Sequence, residues 1–96
     1  MADNLIVKER VLDFSDCAYL GEIYEVIKKE LELPEWCGSN LDALWDAVTG
    51  IMYTPVKITI KTETRRAELR QSVEDVVSVL RDAEREYGEI IVVVER

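Results

Sequence analysis

Hydrophobic positions recur along this chain in two alternating rhythms. Leu5-Ile6-Val7 is a short run rich in β-branched residues between polar neighbours, and it predicts a strand continuing through Val11. Between residues 19 and 31, Leu20, Ile23, Tyr24, Ile27 and Leu31 return at steps of three and four, the spacing of an amphipathic helix. Pro34 is expected to stop it. A second helix is predicted to open at Ser39 or Asn40, both good N-caps, and to close at Gly50. Val56, Ile58 and Ile60 then alternate with Lys57 and Thr59, which predicts a half-exposed strand. Residues 64–71 are charged and form a candidate helical stretch. A further helix follows over 73–87, with Val73, Val76, Val77, Leu80, Ala83 and Tyr87 on one face and Gly88 ending it. The unbroken apolar run 90–94 predicts the most buried strand.

Strands alternating with helices imply parallel crossovers. The expected fold class is α/β, a small three-stranded parallel sheet packed against about three to four helices. Run 90–94 suits a strand buried on both faces, and the alternation at 56–60 suits one nearer the edge. The 96 residues suffice for one domain over 1–96, with 1–4 as a loose N-terminal extension. No linker, repeat or low-complexity stretch interrupts it.

Composition then narrows the function. Twelve basic against 20 acidic residues give a net charge of −8, which disfavours phosphate-backbone binding, so no nucleic-acid partner is expected. The chain has no His, which excludes a Ser-His-Asp or Cys-His engine and a His-ligated metal. No catalytic residue, metal ligand or cofactor motif is apparent. Cys17 and Cys37 stand at no metal-site spacing and read as free thiols of a reducing compartment. No secretory signal precedes the first strand, and five apolar residues cannot span a bilayer. A soluble, cytoplasmic chain without a membrane partner is expected.

The distribution of charge says more than its total. Residues 30–56 hold Glu30, Glu32, Glu35, Asp42 and Asp46 but no Lys or Arg until Lys57. On the second helix, Leu41, Leu44, Trp45 and Val48 form the core-facing arc, with Trp45 at its edge. Thr49, Asp42 and Asp46 come next round the wheel. Two acids four apart repel by a few tenths of a kcal/mol. Asp42 lies in the first turn, where the helix dipole compensates it; Asp46 lies further in. The bland reading is a solvated helix face. The sharper one is a partner supplying Arg or Lys. Trp36, after a Pro-containing turn, is expected to be exposed, and exposed aromatics favour interface use. On the last helix Asp75, Asp82 and Glu86 fall within roughly 40° of each other, with Arg81 and Arg85 on the far side. Arg85 is within local reach of acids such as Glu89.

The block Leu33-Pro34-Glu35, Gly38, Asn40-Leu41-Asp42-Ala43-Leu44-Trp45-Asp46, Thr49-Gly50 closely resembles the barstar family, intracellular inhibitors of barnase-type ribonucleases. The order of elements agrees over about four-fifths of the chain. The resemblance implies a toxin-immunity protein that binds one-to-one and plugs the basic active site of a small secreted ribonuclease, and that is a monomer when free. Carried over by position, its partner-binding residues are Trp36, Gly38, Asn40, Asp42, Trp45, Asp46, Thr49, Asp82 and Glu86. The carboxylates would occupy phosphate positions as charge-assisted acceptors.

This chain departs from the family pattern at Trp36-Cys37, where barstar has two tyrosines, and at Ser39, which replaces an acid. It also carries Ile51 or Met52 in place of a Trp and the shorter Asp82 in place of Glu. These changes fall on or beside the expected partner surface. They leave an alternative open: a barstar-fold interaction or immunity protein with a different basic partner, not a barnase-type nuclease. A carboxylate enzyme built on Asp42 and Asp46 is disfavoured, because no pocket or nucleophile–base pair accompanies them. Cys37 reads as a bystander thiol of an exposed-looking loop.

Overall fold

The structure is a computed structural model that describes residues 7–52 and 54–96. Along the described chain run β1 (Lys8–Asp13), α1 (Leu20–Glu30), α2 (Leu41–Gly50), β2 (Val56–Lys61), a 3-10 turn (Ala67–Leu69), α3 (Arg70–Glu86) and β3 (Ile90–Glu95). The three strands form one parallel sheet in the order β1-β2-β3. The expected α/β class and parallel sheet hold, with three α-helices. The 64–71 stretch supplies only the short 3-10 turn and the start of α3, not a helix of its own.

Three details differ from the sequence expectations. The first strand runs from Lys8 to Asp13, past Val11; Val7 precedes it, and Leu5 and Ile6 lie outside the described residues, as does the 1–4 extension. The strand at 56–60 is central, not nearer an edge, and the apolar 90–94 strand is one of the two edges. Nor is β3 buried on both faces, since Ile91 is 48% exposed.

The physical reason lies in the crossovers. Parallel connections are right-handed almost without exception, so two taken in the same direction put their helices on the same face of the sheet. That face carries Leu12, Val56, Ile58, Ile60, Ile90 and Val92, all buried. They pack with Phe14, Ile23, Ile27, Val73, Val76 and Leu80 from the loop after β1 and the helices. The other face stays open. Its rows pair Glu9 with Lys57 and Ile91, Val11 with Thr59 and Val93, and Asp13 with Lys61 and Glu95. Opposite charges therefore neighbour one another across β1 and β2, a favourable cross-strand arrangement.

Both helix ends that frame the loop between α1 and α2 are closed by specific bonds. After α1, the Leu33 N–H donates to the Lys28 carbonyl (2.8 Å) and the Glu32 N–H to that of Lys29 (3.3 Å). This is a Schellman closure with Glu32 at φ 56°, a position where glycine is usual. The helix thus ends before Pro34 is reached. Glu32 also pairs with Arg10 of β1, which ties the turn to the sheet.

The outer edge of β3 is clasped by α3. Glu84 Oε2 accepts from the Val92 N–H at 2.7 Å, and Arg81 Nη1 donates to the Val92 carbonyl at 3.1 Å while pairing with Glu84 at 3.3 Å. Helix side chains thus satisfy backbone groups that an incoming strand would use. Glu84→Ala should cost about 1–2 kcal/mol, because a part-buried donor loses its acceptor. A urea midpoint equal to that of the wild type would show that the clasp is not formed in solution.

Two core-edge groups carry a pH signature. Burial pushes the Cys17 thiol above its ordinary value, helped by Glu22 and other nearby acids. Burial also raises the Tyr24 phenol, with Asp75 adding to it. In the unfolded chain these groups ionise near 9.0 and 10.0, earlier than in the folded one. Their contribution to stability is full below those values and is lost as pH rises through the raised ones. Urea midpoints should fall above about pH 9, and Tyr24→Phe should flatten the upper part of the fall. A flat profile in both proteins would contradict the burial of these groups.

Candidate functional site

The residues singled out in the sequence lie on α2, on the loop before it and on the C-terminal half of α3. Helix α2 begins where Asn40 Oδ1 accepts from the Ala43 N–H at 2.8 Å. That bond satisfies one of the orphan donors of the first turn and fixes where the helix starts. Asn40 is therefore a structural cap as well as a candidate contact. Gly38 is set by space: a Cβ there would stand 3.1 Å from the Ala43 Cβ and 3.3 Å from Asn40 Nδ2. A side chain there would crowd Ala43 and the capping Asn40, which would each have to give by a few tenths of an ångström.

Asp42 and Asp46 are both exposed and lie one turn apart on α2. Asp42 is in the first turn, and the last turn has no basic residue. Leu44, Ala47 and Val48 supply the buried side of the helix. Thr49 is part-buried, and its Oγ1 donates to the Trp45 carbonyl at 2.7 Å. Its hydroxyl is thus used within the helix.

Trp45 is half-buried and meets Tyr87, with ring centroids 6.3 Å apart and planes tilted at 59°. Such tilted pairs add modestly to area burial and hold both rings. Helix α2 packs against α3, and the junction leaves a hollow of about 350 Å³ lined by Trp45, Asp82, Arg85 and Glu86. A second hollow of about 190 Å³ includes Thr49, Gly50, Thr54, Tyr87 and Glu89 in its lining. The fold therefore unites Trp45, Asp82 and Glu86 and sets Thr49 nearby, across Tyr87. Trp36 stands apart on the loop, 76% exposed, as the sequence predicts.

Four expectations fail here. Cys37 is buried, at 8% exposure, because the loop turns it inward while its neighbour Trp36 points out. Arg85 is not on the far side of α3. It pairs with Asp82 and lines the hollow, while Glu89 accepts instead from Thr54 Oγ1 at 2.9 Å. The signal was in the spacing, since residues three apart on a helix are neighbours. Arg81 does turn away, towards β3. Asp75 also separates from Asp82 and Glu86: it accepts from Gln71 Nε2 at 2.9 Å and does not line their hollow. Tyr87, read from sequence as a core position, is 43% exposed and belongs to this surface.

Among the described residues no group of three or more His, Cys, Asp or Glu is placed to hold a metal ion. No helix there is long and apolar enough to cross a membrane. The site is thus a small parallel α/β scaffold with carboxylates on two adjoining helices and the rings of Trp45 and Tyr87 at their junction. The family model described as "Barstar (barnase inhibitor)" matches residues 7–95, and the chain belongs to that family. It is also 30% identical over 81 residues to a Bacillus subtilis (strain 168) protein named "Putative ribonuclease inhibitor YrdF", covering 83% of this chain and 89% of that one. Both descriptions are of an inhibitor, not an enzyme.

The local roles give a direct test. Asn40→Ala should lower stability by about 1 kcal/mol through the lost cap, and Asn40→Asp or Asn40→Ser should recover most of it. Equal thermal midpoints for all three variants would show that the cap bond contributes nothing.

Proposed function

We propose that this chain is a stoichiometric inhibitor of a small basic ribonuclease of the barnase type, acting in the cytoplasm as an immunity protein. The observation that carries the reading is the pair of exposed aspartates on α2, within a segment that lacks Lys and Arg, on a chain of the Barstar family. On this reading 1–96 is a single domain, free as a monomer, and its contact residues are Trp36, Gly38, Asn40, Asp42, Trp45, Asp46, Thr49, Asp82 and Glu86.

The mechanism is occlusion. A ribonuclease site that binds phosphate must present cationic donors. Asp42 and Asp46, held on a helix whose start is fixed by Asn40, offer carboxylates to those donors at low ordering cost. Trp36 supplies rigid apolar area at the mouth of the site. The net charge of −8 speeds encounter with a basic enzyme and makes it salt-dependent. RNA cleavage stops because the substrate's phosphate positions are filled.

Calorimetric titration against barnase at low and moderate salt tests the reading. A one-to-one complex should form, weaken as salt rises and abolish RNA cleavage. Asp46→Ala and Asp42→Ala should each lose about 2 kcal/mol or more. That scale is taken from the barnase–barstar pair, the reference case for charged hot spots. Unchanged binding by both variants would remove the site assignment. Absence of any complex would point to a different basic partner.

A further inference from the structure

The hollow between α2 and α3 holds a cation on what is otherwise the acidic side of the proposed contact surface. Arg85 lines it together with Trp45, Asp82 and Glu86. Its hydrogen bond among the described residues runs from Nη2 to Asp82 Oδ1, so Nη1 and Nε have no acceptor there. The pair is exposed, 70% on the arginine and 54% on the aspartate. Exposed pairs of this kind are weak and readily exchanged. A guanidinium presents a planar fork suited to a carboxylate, and the ring of Trp45 forms one wall of the site. Arg85 also offsets the charge of Asp82 and leaves Glu86 as the hollow's uncompensated acid, so a Lys or Arg approaching there meets less attraction than one approaching Asp42 and Asp46.

We propose that Arg85 is a specificity-determining residue of this surface, receiving a carboxylate of the partner at the α3 side and disfavouring partners that place Lys or Arg there. This rests on the inhibitor reading above and refines it. The cognate enzyme presents cations to Asp42 and Asp46 and an acid to Arg85. Within an otherwise acidic surface, Arg85 then marks one point where a partner acid is favoured and a cation is not, which helps fix orientation and selects against enzymes basic all round.

The test uses barnase as a uniformly probed basic enzyme, with wild type, Arg85→Ala, Arg85→Glu and Asp46→Ala as inhibitors. Arg85 is exposed, so its variants should fold, and matched circular dichroism and melting curves check this. Arg85→Ala should bind about threefold tighter and Arg85→Glu about tenfold tighter at low salt, with the gain shrinking as salt rises. A second series replaces each Arg or Lys around the barnase active site by Glu in turn. At least one such enzyme should lose less affinity for wild type than for Arg85→Ala, a coupling that identifies the facing position. If wild type binds and Asp46→Ala binds more weakly, while the Arg85 variants match wild type against every enzyme, the inference falls and the inhibitor reading stands. If no inhibitor binds, Arg85→Glu included, both fall.

Discussion

Two parallel crossovers laid on the same side of a three-stranded sheet are the constraint from which the rest follows. Because β2 is central and both connections run in one direction, the helices must share a single face. α2 and α3 then become neighbours although β2 separates them in the chain, and they pack together. Their outward sides form one continuous surface. Trp45 and Tyr87 meet across the junction, and the hollow beside them opens between the two helices. A sheet covered on both faces would have separated these helices and divided the surface.

The same constraint leaves the opposite face of the sheet to solvent, and this explains much of what was and was not legible in the sequence. Helical rhythm located α1, α2 and α3 well, since apolar periodicity depends on which side of a helix is buried. Strand position was harder. Val56–Lys61 alternates because its other face is open, not because it lies at an edge. The apolar run at 90–94 invited the reverse error: Ile91 faces solvent despite its side chain, and Val93 is half-buried. Hydropathy reports burial, while position in the sheet is set by chain direction, and the two diverge in a one-sided parallel sheet. The α3 clasp on Val92 was invisible for a similar reason, since it joins a helix face to a backbone edge by tertiary geometry alone.

The candidate surface shows a comparable division. Asp42, Asp46, Trp45 and Asn40 were legible because cap chemistry and helical spacing act locally. The resemblance supplied Gly38, and the helical wheel had set Thr49 beside the two aspartates; their local reasons appear only in the structure, the close approach to Ala43 and the hydroxyl bond to Trp45. Arg85 was misplaced because its charge was assigned to the side of Arg81. An i,i+3 step from Asp82 places it beside that acid instead. Cys37 was misread because exposure of Trp36 was extended to its neighbour, and successive residues in a tight turn need not share a direction.

These placements separate two jobs on the surface. Carboxylates on α2 sit on a helix capped at Asn40 and packed through Leu44, Ala47 and Val48, so their mutual geometry is fixed before any partner arrives. Their repulsion, a few tenths of a kcal/mol for an i,i+4 pair, is a small cost against a helix held by tertiary packing. Trp36 sits on a loop framed by the Schellman turn at Glu32 and the tight passage at Gly38. Trp36, 76% exposed, can vary in side chain without moving α2, because the loop's ends are held by the backbone bonds of the Schellman turn and by the Asn40 cap. On the proposed reading, long-range attraction and orientation reside on the rigid element. The same reading places fine discrimination where substitutions are structurally cheap, at Trp36 on the loop and at the exposed Asp82–Arg85 pair on α3.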